Sequence, residues 1–516
     1  MHVLFLLYNV TAPLLRHPLK PSKPPNMKTL FISLLCLSAS IVQAQWTTAT
    51  LSQARWNLAT AVVHEKIFFA GGNIINGGSV QVTNRVDIYN RTTGEWSVAQ
   101  LSEARSNVRA FTIGSRVFFC GGIRSGAAPS NRIDIYDDAT GTWSTAQMAV
   151  SRYPLAGVAH RGKLLLAGGL SATGAYANVV DLYDSATNSW SVAILSDRRI
   201  VGGAAAAGNK IVFAGGHDNA RVFNTADIYD TETGLWSTAR LLEARTRIAT
   251  AVFSDQIFFA GGDFDNVRPN ATNTIDIYDA TTNRWSVNQL TVPRAAVQAA
   301  TLGNAAIFAG GYDSPDRQIV LKNAAEVFQR GSETWRTDAL AQARQLLDVR
   351  RLGERLFFTG DAFVFGTEVA TDIVEIYDGP TGTWSTERLS TQRYWARSAV
   401  AGNQLFVAGG LTNTGVPSDV VDIYTDLGVG TTGQTLPAGK VAVFPNPAHD
   451  FTQLQLDESL LPARLLLRNT TGQVLQQHIL SAAMTPISLS GLPTGIYFLE
   501  VHTSGGRAWL RIVKQK

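Results

Sequence analysis

Eight arginines and eight acids recur along this chain at matched intervals, and they are the first residues that could do chemistry. The arginines are Arg55, Arg105, Arg152, Arg199, Arg245, Arg294, Arg344 and Arg393. The acids are Asp87, Asp134, Asp181, Asp227, Asp276, Glu326, Glu375 and Asp422. A guanidinium facing a carboxylate can orient an anionic substrate or lock two segments together. A catalytic group is not needed eight times, so the pairs read as scaffold. Other reactive groups are sparse. Between residues 45 and 427 the histidines are His64, His160 and His217, and Cys120 is the one thiol. His217-Asp218-Asn219 and Asp263-Phe264-Asp265-Asn266 offer oxygen ligands, but neither has the spacing of a calcium loop. Ser, His and Asp are too scattered to suggest a triad. The expectation is a protein that is not an enzyme and carries no cofactor or metal.

The elements that position these residues follow from a repeat. The first Gly of an apolar-strand–Gly-Gly signature falls at 71, 121, 168, 215, 261, 310, 360 and 409, with Gly360 followed by Asp361. Tryptophans at 46, 96, 143, 190, 236, 285, 335 and 384 keep the same steps, as do the arginines. Three residue types in one register mark a radial or stacked β array. In the first copy the strands are read as Ala59–Val63, Ile67–Ala70, Arg85–Tyr89 and Glu95–Val98. Gly71, Gly72, Trp96, Arg105, Gly121, Gly122, Trp143 and Arg152 are structural positions of this repeat. The Gly pair lets the chain leave a buried strand sharply, and each Trp offers a large apolar face to a neighbouring sheet. Trp46 precedes any Gly-Gly, and no Trp follows the last copy. The N-terminal strand is therefore expected to complete the last sheet, removing an open edge.

Gly-Gly, Tyr and Trp at these offsets resemble the kelch repeat over about residues 46–427. The resemblance implies a β-propeller, here of eight blades, with seven as the alternative. In that family ligands often bind the face made by the loops after strand b and before strand a. On it lie Trp56, Asn57, Asn73, Asn107, Tyr153, His217, Arg247, Asp263, Tyr312, Tyr394 and Trp395. Rings that stack on apolar faces beside amides that read hydroxyls suit a glycan or a peptide. Some kelch-like propellers resemble galactose oxidase, which holds copper by Tyr and His with a Tyr–Cys crosslink. Cys120 lies inside a strand and no His pair is well placed, so that chemistry is disfavoured here. Thr140-Gly141-Thr142-Trp143 is similar to the end of a sialidase turn but lacks its Ser-x-Asp.

The ends carry export signals. Met27, Lys28, the apolar run Leu30–Leu37 and Val42-Gln43-Ala44 read as a secretory signal cleaved before Gln45, within a leader of residues 1–44. The formal charge of +4 resides in that leader; without it 40 basic and 40 acidic residues remain. Nucleic acid is an unexpected partner for a neutral chain without a basic stripe. No later stretch is long and apolar enough for a transmembrane helix. Cys36 would leave with the signal, so no intrachain disulfide is expected.

After Tyr424 the repeat stops. Residues 45–427 are assigned to the propeller and 428–439 to a Gly/Thr/Pro linker. Residues 440–516 are read as a small Ig-like β-sandwich. Phe444-Pro445-Asn446-Pro447, Asn469-Thr470-Thr471-Gly472, Leu492-Pro493-Thr494-Gly495-Ile496-Tyr497 and Lys514-Gln515-Lys516 resemble the type A C-terminal sorting domain of the type IX secretion system. Asn469 departs from the Asp often found there. The resemblance implies passage from the periplasm across the outer membrane by that machinery, to the medium or the cell surface. The whole is expected to be an exported binding protein. The alternative is a carbohydrate-active enzyme, galactose-oxidase-like or a sugar epimerase, on the same scaffold.

Overall fold

The computed structural model describes residues 45–516 except 266–269, 331, 333, 346–347, 361, 365–366, 427–439, 462, 471–472 and 504–505. The leader, the linker, Asn266, Asp361, Thr471 and Gly472 lie outside the described residues.

Among the described residues, the repeat region folds into eight four-stranded antiparallel sheets. In sheet 1 the strands a to d are Ala59–Val63, Lys66–Ala70, Arg85–Asn90 and Glu95–Gln100. They lie side by side in that order, and the other sheets repeat the pattern. The a strands of sheets 2 to 8 are Arg109–Ile113, Ala156–His160, Ile200–Ala207, Ala249–Phe253, Gln298–Leu302, Asp348–Leu352 and Arg397–Ala401. Each a strand touches the a strands of the sheets before and after it, and sheet 8 touches sheet 1. The sheets thus stand radially around an axis lined by a strands, as propeller blades do.

Closure comes from the N-terminal strand. Gln45–Thr50 pairs antiparallel with Val420–Thr425, strand c of sheet 8, bringing Trp46 opposite Tyr424. Their rings sit 5.2 Å apart, edge to face. A gap at this seam would leave strand c of sheet 8 as an open edge able to pair with other chains.

Apolar packing between sheets uses the repeated aromatics. Trp143 faces Tyr136 across strands c and d of sheet 2. It also reaches back to Phe68 of sheet 1, with ring centroids 6.3 Å apart. Phe68, Phe119 and Tyr136 share one buried cluster. Strand b is apolar on both faces because a sheet covers each side. Ile67, Phe68, Phe69 and Ala70 are accordingly all buried.

The Gly pair has a specific steric cause. Gly71 has φ +62°, and a Cβ there would stand 2.4 Å from the carbonyl oxygen of Arg105. That carbonyl accepts a hydrogen bond from Gly72 N at 3.0 Å. The pair therefore receives the backbone that links one sheet to the next.

The C-terminal region has a three-stranded sheet (Val441–Phe444, Phe451–Leu456, Met484–Ser488) and a four-stranded one. The second is ordered Val474–Leu480, Ala463–Arg468, Gly495–Thr503, Gly506–Lys514. Leu454, Leu456 and Ile487 from the first share one core with Leu465, Leu467, Leu499 and Ile512 from the second, the arrangement of a sandwich.

Candidate functional site

The eight Arg–acid pairs form the floor beneath the loop face. Every one is an ion pair within a single sheet, joining the segment before strand a to strand c. Separations are 2.6 Å for Arg55–Asp87, 2.7 Å for Arg152–Asp181, 2.6 Å for Arg199–Asp227, 2.6 Å for Arg245–Asp276 and 2.7 Å for Arg294–Glu326. Arg105 pairs with Asp134 and Arg393 with Asp422. Arg344–Glu375 is the long one at 3.8 Å. Each acid's other oxygen, or the same one in sheet 7, accepts a backbone N–H from the incoming segment, as Ala149 N does to Asp181 at 2.7 Å. The guanidinium also donates to a strand-b carbonyl, as Arg152 does to Leu166 O at 2.8 Å. With all arginines at 2% exposure or less, these groups hold the blade together and offer a ligand no access.

One residue further on, the chain emerges at the loop face. The residue after Arg bridges the residue after Gly-Gly: Trp56 with Asn73, Ser106 with Ile123, Thr246 with Asp263, Ala295 with Tyr312 and Tyr394 with Leu411. Tyr153 pairs with Leu170 and Ile200 with His217 in the same way. The two variable loops of sheets 1 to 6 and 8 are thereby brought to one end of the ring. The bond is made by main chain, Asn73 N donating to Trp56 O at 2.8 Å, so it tolerates any side chain.

The sequence-selected residues divide at this face. On sheets 4 to 6, Arg247 donates to Asp263 Oδ2 at 2.8 Å, and the Tyr312 hydroxyl donates to the same oxygen at 2.5 Å. His217 Nδ1 lies 3.0 Å from Thr246 Oγ1. Burial and the nearby Arg247 lower the His217 pKa, against the opposing pull of Asp218, so the ring is neutral near pH 7. Burial likewise raises the Tyr312 phenol. On sheets 7, 8 and 1, Trp56, Tyr394, Leu411 and Ala370 form an apolar cluster against which Trp395 packs. The Tyr394 and Trp395 rings meet edge to face at 5.1 Å.

Not all of these side chains are presented to solvent. Trp56, Asp263, Tyr312 and Tyr394 are at most 9% exposed and act as underpinning for their neighbours. Asn57 and Asn107 have φ of 53° and 54°. Asn is one of the few non-Gly residues at ease there, and Arg247 and Trp395 adopt the same conformation at the same repeat position, with φ of 52° and 56°. Half-exposed His217, Arg247, Tyr153, Trp395 and Asn73 remain at the surface. Tyr176 donates to Asn219 Oδ1 at 2.6 Å and ties sheet 3 to sheet 4.

The other reactive groups stay apart. His64 sits on the opposite end of the ring, 2.7 Å from Asp138, and His160 Nε2 lies 2.8 Å from Gly208 O. Cys120 is fully buried, which drives its thiol pKa upward. Among the described residues no group of three or more His, Cys, Asp or Glu could hold a metal ion. Asp218 instead caps its own turn, accepting from Ala220 N and Arg221 N.

In the C-terminal region the Pro-Asn-Pro segment brackets the last strand. Asn446 donates to Arg511 O at 2.5 Å and accepts from Val513 N at 2.9 Å. Pro445 O accepts from Thr452 Oγ1 at 2.9 Å, and Ala448, after Pro447, donates its N–H to Val513 O. Gly495 opens strand Gly495–Thr503. Tyr497 is buried with its hydroxyl donating to Pro493 O at 2.6 Å. Lys514 donates to Leu489 O at 2.6 Å.

Radial four-stranded sheets clamped in this way define a Kelch-type β-propeller. Residues 57–262 and 108–311 match the model of the KLHDC2/KLHL20/DRC7 Kelch-repeats domain, and residues 442–515 match the secretion system C-terminal sorting domain. The chain is a Kelch-repeat β-propeller protein that ends in a type IX sorting domain, and it is exported to the cell surface or the medium. No curated protein matches it. A solved structure titled "Structure of YjhT" aligns with 56% of this chain and 99% of its own at 13% identity, with a TM-score of 0.37. No helix among the described residues is long and apolar enough to cross a membrane.

Proposed function

We propose that this exported propeller is a binding protein, not an enzyme, and that it recognises a glycan or a protein segment through the loop face. One observation carries the reading. The main-chain bridge that recurs above the Arg clamp in sheets 1 to 6 and 8 holds side chains of varied type, the same pair standing only in sheets 3 and 8. A polar arc (His217, Arg247) and an aromatic arc (Trp395 over Tyr394 and Trp56) share that face. Stacking surface beside fixed hydrogen-bonding groups is what sugar rings and peptide segments require. The sorting domain delivers this face to the exterior, where such ligands are met.

Glycan and peptide arrays probed with the purified protein test the reading. Binding that is lost in Trp395→Ala and Arg247→Ala, with unchanged melting temperature, is the expected result. Silence across both arrays, turnover of a sugar panel, or stoichiometric copper in the purified protein would each overturn it.

A further inference from the structure

In each sheet the chain returns from the loop after strand b through the residue five before the strand-c acid. That residue stands at the edge of the loop, and most sheets close the edge there. In sheets 2 and 8 it is Pro129 and Pro417, which have no N–H to offer. In sheets 5 and 7 the next sheet takes the N–H: Ala271 N donates to Ser314 Oγ at 3.0 Å and Ala370 N to Asn413 Oδ1 at 2.7 Å. In sheet 3 the Tyr176 hydroxyl crosses to sheet 4. In sheets 4 and 6, Val222 and Leu321 sit in pairings of one and two residues, too short to guide another strand.

Sheet 1 differs. Its loop is a ribbon in which Asn73–Asn76 pairs antiparallel with Ser79–Val82. Asn73 uses both main-chain groups on Trp56, its N–H donating to Trp56 O at 2.8 Å and its carbonyl accepting from Trp56 N at 3.1 Å. Along a strand, main-chain groups point to opposite sides at successive residues. Across the ribbon, Val82 stands opposite Asn73 and Val80 opposite Ile75. Both valines therefore turn their N–H and C=O to the outer edge. Among the described residues no third strand lies along that edge.

The ribbon also lacks the usual defences. Natural edges are blunted by lysine, by proline or by a covering element. From Ile67 to Asn84 the chain has no charged residue and no proline. Ile75 and Val80 face each other across the ribbon and are 47% and 66% exposed. An open edge with an apolar pair on one face is a template for another strand. Main chain supplies the hydrogen bonds, and alternate side chains supply the choice.

We propose that the Ser79–Val82 edge docks an extended, uncharged segment of another protein, which adds as a third strand beside Val80 and Val82. This rests on the protein-segment arm of the proposed function and names its mode. Side chains on one face of the added strand meet the Ile75–Val80 pair and are apolar. Those on the other face lie beside Gln81 and carry hydroxyls or amides. A second copy of the ring is the poorer occupant. Four residues span about 13 Å, and two rings meeting along so short an edge bury far less than the roughly 1,200 Å² of a stable dimer. A flexible segment binds through the edge itself.

Calorimetry and amide hydrogen exchange on the full chain test this with the acetylated, amidated heptapeptide Thr-Val-Thr-Val-Thr-Val-Thr. It binds, and exchange at Val80 and Val82 slows about ten-fold or more in the complex. Val82→Pro copies sheets 2 and 8 by removing the outward donor, and weakens binding about ten-fold. Val98→Lys, on exposed strand d of the same sheet, leaves it unchanged. If the proline variant fails to fold, exchange in the unmodified chain still decides. Peptide binding that is lost in Trp395→Ala but leaves exchange at both valines unchanged would overturn this proposal and keep the rim reading. Failure of the heptapeptide to bind, or full binding by folded V82P, would also overturn it. So would slowing at both valines that grows with protein concentration without peptide, the mark of a second copy on the edge.

Discussion

Arg152 and Tyr153 are neighbours in the chain but belong to different regimes of the molecule. Arg152 is fully buried and paired with Asp181, an arrangement repeated in every sheet. Tyr153 is half-buried at the loop face, where residue type varies among the sheets and only the Tyr–Leu pair of sheet 3 recurs, in sheet 8. In the clamp, side chains satisfy one another. A buried guanidinium without its carboxylate is costly, so residue type is held from copy to copy. At the bridge, main chain satisfies main chain, so the geometry recurs while residue type is free to differ. The contrast teaches where recognition is found on a repeat scaffold: directly beside its most constrained positions, on backbone those positions hold still.

The comparison breaks hardest at the clamp. Asp181→Ala leaves Arg152 charged and buried, and is expected to cost about 3–5 kcal/mol of stability in denaturant unfolding. Sheet 7 sharpens the point. Glu375 stands 3.8 Å from Arg344, and burial raises its pKa. Glu375→Ala should cost less than half as much by the same measurement. Glu326 reaches Arg294 at 2.7 Å, so the longer side chain alone does not weaken sheet 7. There Arg344 donates instead to Gly360 O at 3.2 Å and Ile373 O at 2.7 Å.

Next in size is the seam. Trp46→Ala removes a half-buried ring from Tyr424 and the sheet 7 core, at an expected loss of about 2–4 kcal/mol. Deleting residues 45–50 should expose strand Val420–Thr425 and produce concentration-dependent association in light scattering. Smaller effects belong to the face. Tyr312→Phe removes one hydrogen bond to buried Asp263, for about 0.5–1.5 kcal/mol, and should weaken any ligand read by Arg247.

The smallest effect is a pH dependence. His217 titrates below its ordinary value of 6.5 in the folded chain, so between those pH values the unfolded chain binds more protons. Its contribution is fully present above pH 6.5 and is lost as pH falls through the folded-state pKa. His217→Asn should flatten that acid-side decline in thermal melts. An unchanged slope would remove His217 as its cause.

Much of this was legible in the residues. Tryptophan, glycine and arginine steps locate the sheets, and the missing last Trp points to Trp46 as the closing strand. The clamp was legible because its two residue types recur together. The rim was only half legible. Trp56 and Tyr312 have the chemistry of ligand contacts but lie under their neighbours, because burial depends on how adjacent sheets lean together. Asn57 and Asn107 resemble recognition amides, and the positive φ they share with Arg247 and Trp395 could not be read from residue type.

By itself, then, the sequence determined the period, the closure, the clamp and the sorting tail. Each rests on residue types that recur or on local turn and strand chemistry. Only the tertiary structure decided which rim side chains reach solvent and which lie beneath their neighbours. The physical reason is that closure brings together segments from opposite ends of the repeat array. No local pattern encodes what they will face.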